Sequence, residues 1–443
     1  MSSQLELLRT RRFLPFFLTQ ALGAFNDNVF KQSLVLAILY KLSVEGDPTV
    51  WVNLCALLFI LPFFLFSALA GQLGERLAKD RLMRAIKLAE VLIMAVGALG
   101  FLYGQVGLLL VALFAMGTHS ALFGPVKYSI LPQALVPGEL LGGNGLVEMG
   151  TFLAILGGTI GAGVLMAQQT YAPAVAVAIV TLAALGYLAS RAIPPAAASA
   201  PGLKVSWNIP AQTLRTLRLG LGQSKVVSRS LLANSWFWFV GAMYLTQIPA
   251  YAKTWLHGDE TAVSLVLTVF SVGVAVGSLL CERLSGRTVE VGLVPFGATG
   301  LTVFGVLWWW HSGGVPAPEP GASYGWLHLL ALGAAWPVLL DILGLGVFGG
   351  FYIVPLYALI QSRTAAHQRA QVIAANNILN ALFMVVSAVV AVGLLSGAGV
   401  SIPGLFLLVS VMNVVVNACL FSRVPEYRQG FVAWIGRRGP KGL

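Results

Sequence analysis

Residues 71–77 read GQLGERL and residues 277–284 read GSLLCERL, so Glu75-Arg76-Leu77 returns as Glu282-Arg283-Leu284. Each copy closes a long apolar run. The recurrence is what a chain shows when it carries one helical module twice in the same orientation. Two further stretches repeat in the same order. KYSILPQ at 127–133 returns as LYALIQ at 356–361, and GGNGLVEMGTF, with Asn144 and Glu148, returns as AANNILNALF, with Asn376 and Asn380. Around these anchors the composition leaves little choice of solvent. Of 443 residues, 58% are hydrophobic and 10% are charged, against about 25% charged in a soluble domain. The mean hydropathy is +0.84. The 49 glycines sit mostly inside the apolar runs, where small residues let helices approach in lipid. A water-soluble enzyme is excluded.

Windows of span length place apolar segments near 13–40, 51–74, 85–102, 107–126, 143–167 and 172–190. A second set follows near 231–254, 262–281, 292–312, 326–350, 371–396 and 401–422. The expected architecture is therefore an all-α membrane protein of twelve transmembrane helices. It divides into a six-helix half over 1–190, a polar linker over 191–230 and a second six-helix half over 231–443. Parallel repeats of six spans are the pattern of major facilitator transporters. Most of the 27 basic residues fall at the termini, in the linker and in the loops on one side. The opposite loops carry Glu45, Asp47, Asp259, Glu260 and Glu319, with Lys41 as their basic residue. By the positive-inside rule both termini and the linker face the cytoplasm. The net charge of +11 is then an orientation signal with some attraction to anionic membrane lipid, and needs no nucleic acid.

Cys55, Cys281 and Cys419 lie in apolar runs without CxxC spacing, so no metal or cofactor is expected. The basic stretch before residue 13 leads into an apolar run that contains Asn26, Asp27 and Asn28 and has no small-residue cleavage site. It reads as a first span, not a removed signal.

Charge inside a span is expensive, so each intramembrane charge is a candidate for function. Asp27 falls near the middle of the first span, with Lys31 one turn on, where the two can neutralise each other. Asn26 and Asn28 point to either side of Asp27, and one of them is expected to bond a neighbouring helix. Lys127 follows Pro125 near the cytoplasmic end of the fourth span, at a depth compatible with Glu148 in the fifth. Asp341 is expected near mid-depth in the tenth. Lys87 and Glu90 read as a structural pair. Glu75 and Arg76, with the basic loop behind them, are expected to act in gating together with Asn144, Asn376 and Asn380.

LTQALGAFNDNVFK at 18–31, FGPVKYSILPQ at 123–133, GGNGLVEMGTFLAILGGTIGAGVL at 142–165, SWN at 206–208 and GGFYIVPLYALIQ at 349–361 together resemble the lysophospholipid transporter family, a branch of the major facilitator superfamily. The resemblance covers nearly the whole chain. FNDNxFK is similar to variants fused to acyltransferase and acyl-ACP synthetase domains. No histidine here has an Asp five residues on, so this chain is expected to be no enzyme, with acylation left to a partner. The resemblance implies flipping of lysophosphatidylethanolamine and lysophosphatidylglycerol, by a monomer, across the bacterial inner membrane. On this reading Asp27, Asn28, Lys31, Lys127, Tyr128 and Glu148 form the substrate path, and Asp341, which is not part of the family pattern, joins them as a candidate for binding the headgroup amine or a proton. One departure is that Phe237-Trp238 is followed by GAMYLTQ, with Leu245 or a neighbour where the family carries an arginine. The rival reading is a proton-coupled exporter of amphipathic small molecules, with Asp27 or Asp341 as its titrating carboxylate.

Overall fold

The computed structural model describes residues 4–286, 289 and 291–438. The helices are α1 (Leu14–Tyr40), α2 (Pro48–Arg76), α3 (Lys79–Tyr103), α4 (Val106–Ala134), α5 (Leu140–Met166), α6 (Tyr171–Arg191), α7 (Ile209–Leu221), α8 (Lys225–Trp255), α9 (Glu260–Leu284), α10 (Leu293–His311), α11 (Trp326–Ala331), α12 (Trp336–Arg363), α13 (Arg369–Val392), α14 (Ile402–Ser422) and α15 (Pro425–Arg438). Among the described residues there is no strand. Twelve of these helices are long enough to span hydrocarbon, and ten of the twelve are also continuously apolar. The other two, α1 and α8, are of full length but carry the polar residues Gln20, Asn26, Asp27, Asn28 and Lys31, and Ser230, Asn234 and Ser235. Polar side chains inside spans are retained where they face protein or water. The first helix of each expected half is therefore marked by its own composition.

The chain forms two compact units, one of residues 1–223 with 360–381 and the other of 224–359 with 382–443. In the first, α1 packs against α5 and α6, α2 against α4, and α3 against α4 and α6. Close approach is set by glycine. A Cβ on Gly117 of α4 would lie 2.5 Å from the Phe59 carbonyl oxygen of α2. In the second unit α14 packs against α8 and α10, and α8 against α9. There Gly273 and Gly277 of α9 meet the backbone of α12 at Gly346 and Val347, a small-xxx-small crossing.

Several expected boundaries move. The fourth span does not end at 126, because α4 runs on through Pro125 and Pro132 to Ala134. The seventh begins at Lys225 rather than at 231. The stretch read as a polar linker contains a helix. Residues 209–221 form α7, capped by Asn208 Oδ1 accepting from Ala211 N at 3.2 Å. The expected tenth span at 326–350 is interrupted at Leu332, whose extended backbone (φ −85°, ψ 106°) ends α11. The helix restarts at Trp336 after a 3-10 turn over Gly333–Ala335. Asp341 consequently sits in the second turn of α12, ~8 Å from its start, and not at mid-depth.

Candidate functional site

Asp27 lies midway along α1, ~20 Å from either end. Its Oδ2 accepts from Ser120 Oγ of α4 at 2.7 Å, while its Oδ1 has no partner among the described residues. Lys31 is one turn on, yet the two do not form the expected ion pair. The ammonium group lies over the Phe59 ring of α2, 5.0 Å from the centroid. A cation–π contact leaves the charge uncancelled, so α1 presents a carboxylate and an ammonium that are both half-buried and separately held. Of the two flanking asparagines, Asn26 is the one that reaches a neighbouring helix, donating to Glu90 Oε1 of α3 at 2.9 Å. Asn28 turns back to its own helix, donating to the Ala24 carbonyl at 2.8 Å.

Nearer the α4 C-terminus, Lys127 donates to Thr151 Oγ1 of α5 at 2.9 Å. Gln20 of α1 joins through its Oε1, accepting from Thr151 at 3.0 Å. Tyr128, the next residue, donates to Glu148 Oε1 at 2.5 Å. Lys127 and Glu148 thus share a level without bonding each other directly, and each is satisfied by a neutral hydroxyl. Two opposite charges kept apart by hydroxyl groups can exchange those partners for a zwitterion, whereas a closed ion pair would first have to be broken.

A third cluster lies where α12 ends and α13 begins. Asn144 of α5 and Gln361 of α12 exchange two hydrogen bonds, at 2.7 and 2.9 Å, and both side chains are sealed from solvent. Glu75, also sealed, accepts the Ala370 backbone N–H at 2.5 Å. A carboxylate on the first turn of α13 meets the positive end of that helix. Asn376 and Asn380 are buried on the same helix. Their neighbour Asn377 presses against Gly124 of α4, where a Cβ would lie 2.4 Å from its Nδ2. Arg76 is exposed, beside Glu75 in sequence but not part of this contact. In the second unit Asp341 pairs with His311 at the end of α10, Oδ2 to Nδ1 at 2.7 Å.

Several participants were not visible in sequence. Gln20, Ser120, Thr151 and Gln361 are ordinary polar residues of apolar runs, and their roles come from helix register. Lys87 and Glu90 do form the expected pair. That pair is the centre of a larger buried cluster with Asn26 and His119, whose Nε2 is 3.1 Å from Glu90 Oε2. A lone intramembrane histidine was the available signal.

Similarity to known proteins follows the same architecture. The chain is 29% identical over 364 residues to the lysophospholipid transporter LplT of Salmonella heidelberg, covering 80% of each. It is 29% identical over 350 residues to that of Escherichia fergusonii, covering 78% of each. Among solved structures it resembles the human organic anion transporter TETRAN, with a TM-score of 0.73 at 15% identity over 93% of this chain and 99% of that one. It also resembles the Escherichia coli fucose:proton symporter FucP, with a TM-score of 0.67 at 13% identity over 94% and 99%. At such identities the two structures speak for the fold alone. The family model of the Major Facilitator Superfamily matches residues 16–388, and with its duplicated six-helix sequence and twelve long helices the chain belongs to that superfamily.

Proposed function

We propose that this chain moves lysophospholipids across the bacterial inner membrane, both termini in the cytoplasm, by alternating access between six-helix halves at 1–190 and 231–443 joined by the linker 191–230. The observation that carries this reading is the similarity to LplT over 80% of both chains. The arrangement of charge supports it. A lysophospholipid head carries a phosphate and, in the ethanolamine form, an ammonium. Its acyl chain can stay in lipid while the head crosses ~30 Å of hydrocarbon. The first unit offers a half-buried carboxylate with a free oxygen at Asp27 and a half-buried ammonium at Lys31, each able to take the opposite pole of a zwitterion. Lys127, with Tyr128 and Glu148, offers a second such set one to two turns nearer the cytoplasmic end. Asn28 packs beside the first set. Asp341 with His311, near the outer end of α12, is the first polar contact for an arriving amine. Glu75, Asn144, Asn376 and Asn380 hold the cytoplasmic gate, and Arg76 supplies surface charge beside it. The chain works as a monomer and hands its substrate to a separate acyltransferase or acyl-ACP synthetase.

The test is a leaflet-specific assay with purified protein in liposomes. Lysophosphatidylethanolamine should cross faster than in empty vesicles without ATP. Asp27→Asn and Lys127→Ala should each slow it by about tenfold or more, one lost charge-assisted contact each. Unchanged rates in both variants would remove the assigned roles. Transport abolished by collapsing a pH gradient would favour the proton-coupled exporter.

A further inference from the structure

His119 lies midway along α4, buried, with its ring stacked 6.0 Å from that of Phe123. From α3 it faces Glu90, 3.1 Å from Nε2, and through Glu90 the ammonium of Lys87, which is ion-paired to the same carboxylate oxygen. From α1 Asn26 donates to the other oxygen of Glu90. α2 contributes Phe66 to the apolar cleft that the imidazole lines, and α6 contributes the bare Gly186, against which Lys87 lies. Lys87 and Glu90 cancel, so the histidine decides the net charge of the cluster. Its Nε2 is close to Glu90, but neither ring nitrogen has a hydrogen-bond partner in good geometry among the described residues, so the imidazole has a lone pair available for a proton.

The register connects this cluster to the headgroup residues. On α1, Asn26 serves Glu90 and the next residue, Asp27, serves the substrate path. On α4, His119 serves Glu90 and the next residue, Ser120, bonds Asp27. The two networks touch through consecutive residues on both helices. Inside the spans of this unit, away from the charged α2–α3 turn with Glu75, Lys79 and Asp80, the three carboxylates Asp27, Glu90 and Glu148 stand against the three ammonium groups Lys31, Lys87 and Lys127. A neutral imidazole leaves that balance intact, and an imidazolium adds one uncompensated positive charge next to Asp27.

We propose that His119 is a proton-binding site that sets the headgroup charge the transporter prefers: protonated, it favours an anionic lysophospholipid; neutral, a zwitterionic one. The step is uptake of one proton by the imidazole and its release, with no other bond formed or broken. This inference rests on the lysophospholipid reading above. A unit charge within ~10 Å of the head, at an effective dielectric near 20, alters relative affinity on the order of tenfold.

Liposomes of phosphatidylcholine carry no net surface charge, and neither lysophosphatidylglycerol nor lysophosphatidylethanolamine changes charge between pH ~5.5 and ~8, the range in which histidine titrates. In that system the ratio of glycerol to ethanolamine lipid transported should rise about tenfold from the alkaline to the acid end. In His119→Gln, and equally in His119→Asn, the ratio should be flat. His328→Gln should keep the slope, since that histidine lies on α11 of the other unit. A flat ratio in the unaltered protein overturns the proposal without any variant, and so does a retained slope in both His119 variants. If neither lipid moves at any pH, the lysophospholipid reading itself falls, a different outcome from movement of both at a constant ratio.

Discussion

Replacing Gly74 and Ala370 by cysteine tests the contact between α2 and the first turn of α13 most directly. A Cβ built on Gly74 stands 3.1 Å from the Cβ of Ala370, a few tenths of an ångström inside the ~3.5–4.5 Å of a disulfide. Exposed Cys419 would first become serine, and Cys55 and Cys281 are buried. In Gly74→Cys with Ala370→Cys, mild oxidation should form the bond rapidly. If α13 must leave α2 in each cycle, transport should fall at least about tenfold and return on reduction. Glu75 sets the strength of the same contact. Its buried carboxylate accepts Ala370 N–H at 2.5 Å, a charge-assisted bond at a helix N-terminus worth ~1–2 kcal/mol over the neutral amide. Glu75→Gln should therefore raise opening of this turn by roughly 5- to 30-fold. Hydrogen exchange at the Ala370 amide would read that as lost protection. Failure to cross-link would refute the proximity. Cross-linking with full transport would refute the requirement that the contact opens, and unchanged exchange in Glu75→Gln would refute the energetic argument.

Other expectations rest on single contacts. Asn144→Ala removes both bonds to Gln361 and strands its amide, at ~2–3 kcal/mol, which a thermal unfolding scan in detergent should show as a lowered midpoint, and an unmoved midpoint would contradict. Gly186→Ala would put a Cβ 2.8 Å from Lys87 Cε and should destabilise by ~1–3 kcal/mol. Gly163→Ala, with nothing within 4 Å, should be neutral or better; equal behaviour of the two would sink the packing argument. Asp259 caps α9, accepting from Thr261 Oγ1 at 2.6 Å and from the Thr261 and Ala262 amides. Its carboxyl is held below the usual range by the Thr261 hydroxyl first, against a smaller opposing effect of burial, and then by the amides. Because the folded-state value is the lower one, the cap is fully present above pH ~4 and is lost as pH falls through the folded-state value. Asp259→Ala should remove ~1 kcal/mol and, with it, that acid-limb dependence. An identical acid limb would refute the assignment.

The duplicated fold was legible because lipid imposes span length, small-residue packing and basic loops on the sequence itself. The repeats at Glu75 and Glu282 and at Asn144 and Asn376 then supplied the order. Chemistry was legible as residue type but not as partnership. Asp27 and Lys31 satisfy every spacing rule for an i,i+4 pair, yet Asp27 bonds Ser120 and Lys31 lies over Phe59, partners on other helices that no spacing rule supplies. Lys87 and Glu90 were readable as a pair because they share a helix. The histidine that completes their cluster is on another, and no spacing rule connects them. Asp341 was misplaced in depth because an apolar window cannot see one extended residue, Leu332, that restarts the helix.

The segment after α6 is strapped down along its length: Ala200 N–H bonds the Glu75 carbonyl at 2.8 Å, Ser206 N–H bonds Gln72 at 2.8 Å, and Thr213 bonds the Phe64 carbonyl at 3.3 Å. It therefore has no slack to act as a tether of adjustable length. The short turn at Gly222–Ser224 is one of three places where the polypeptide passes from one compact unit to the other, the others being 359–360 and 381–382. Fragment complementation with a cut there would therefore require the C-terminal piece to dock residues 360–381 onto the N-terminal one. A cut at 195–206, which looks in sequence like the looser place, would strip α2 of its binding strip.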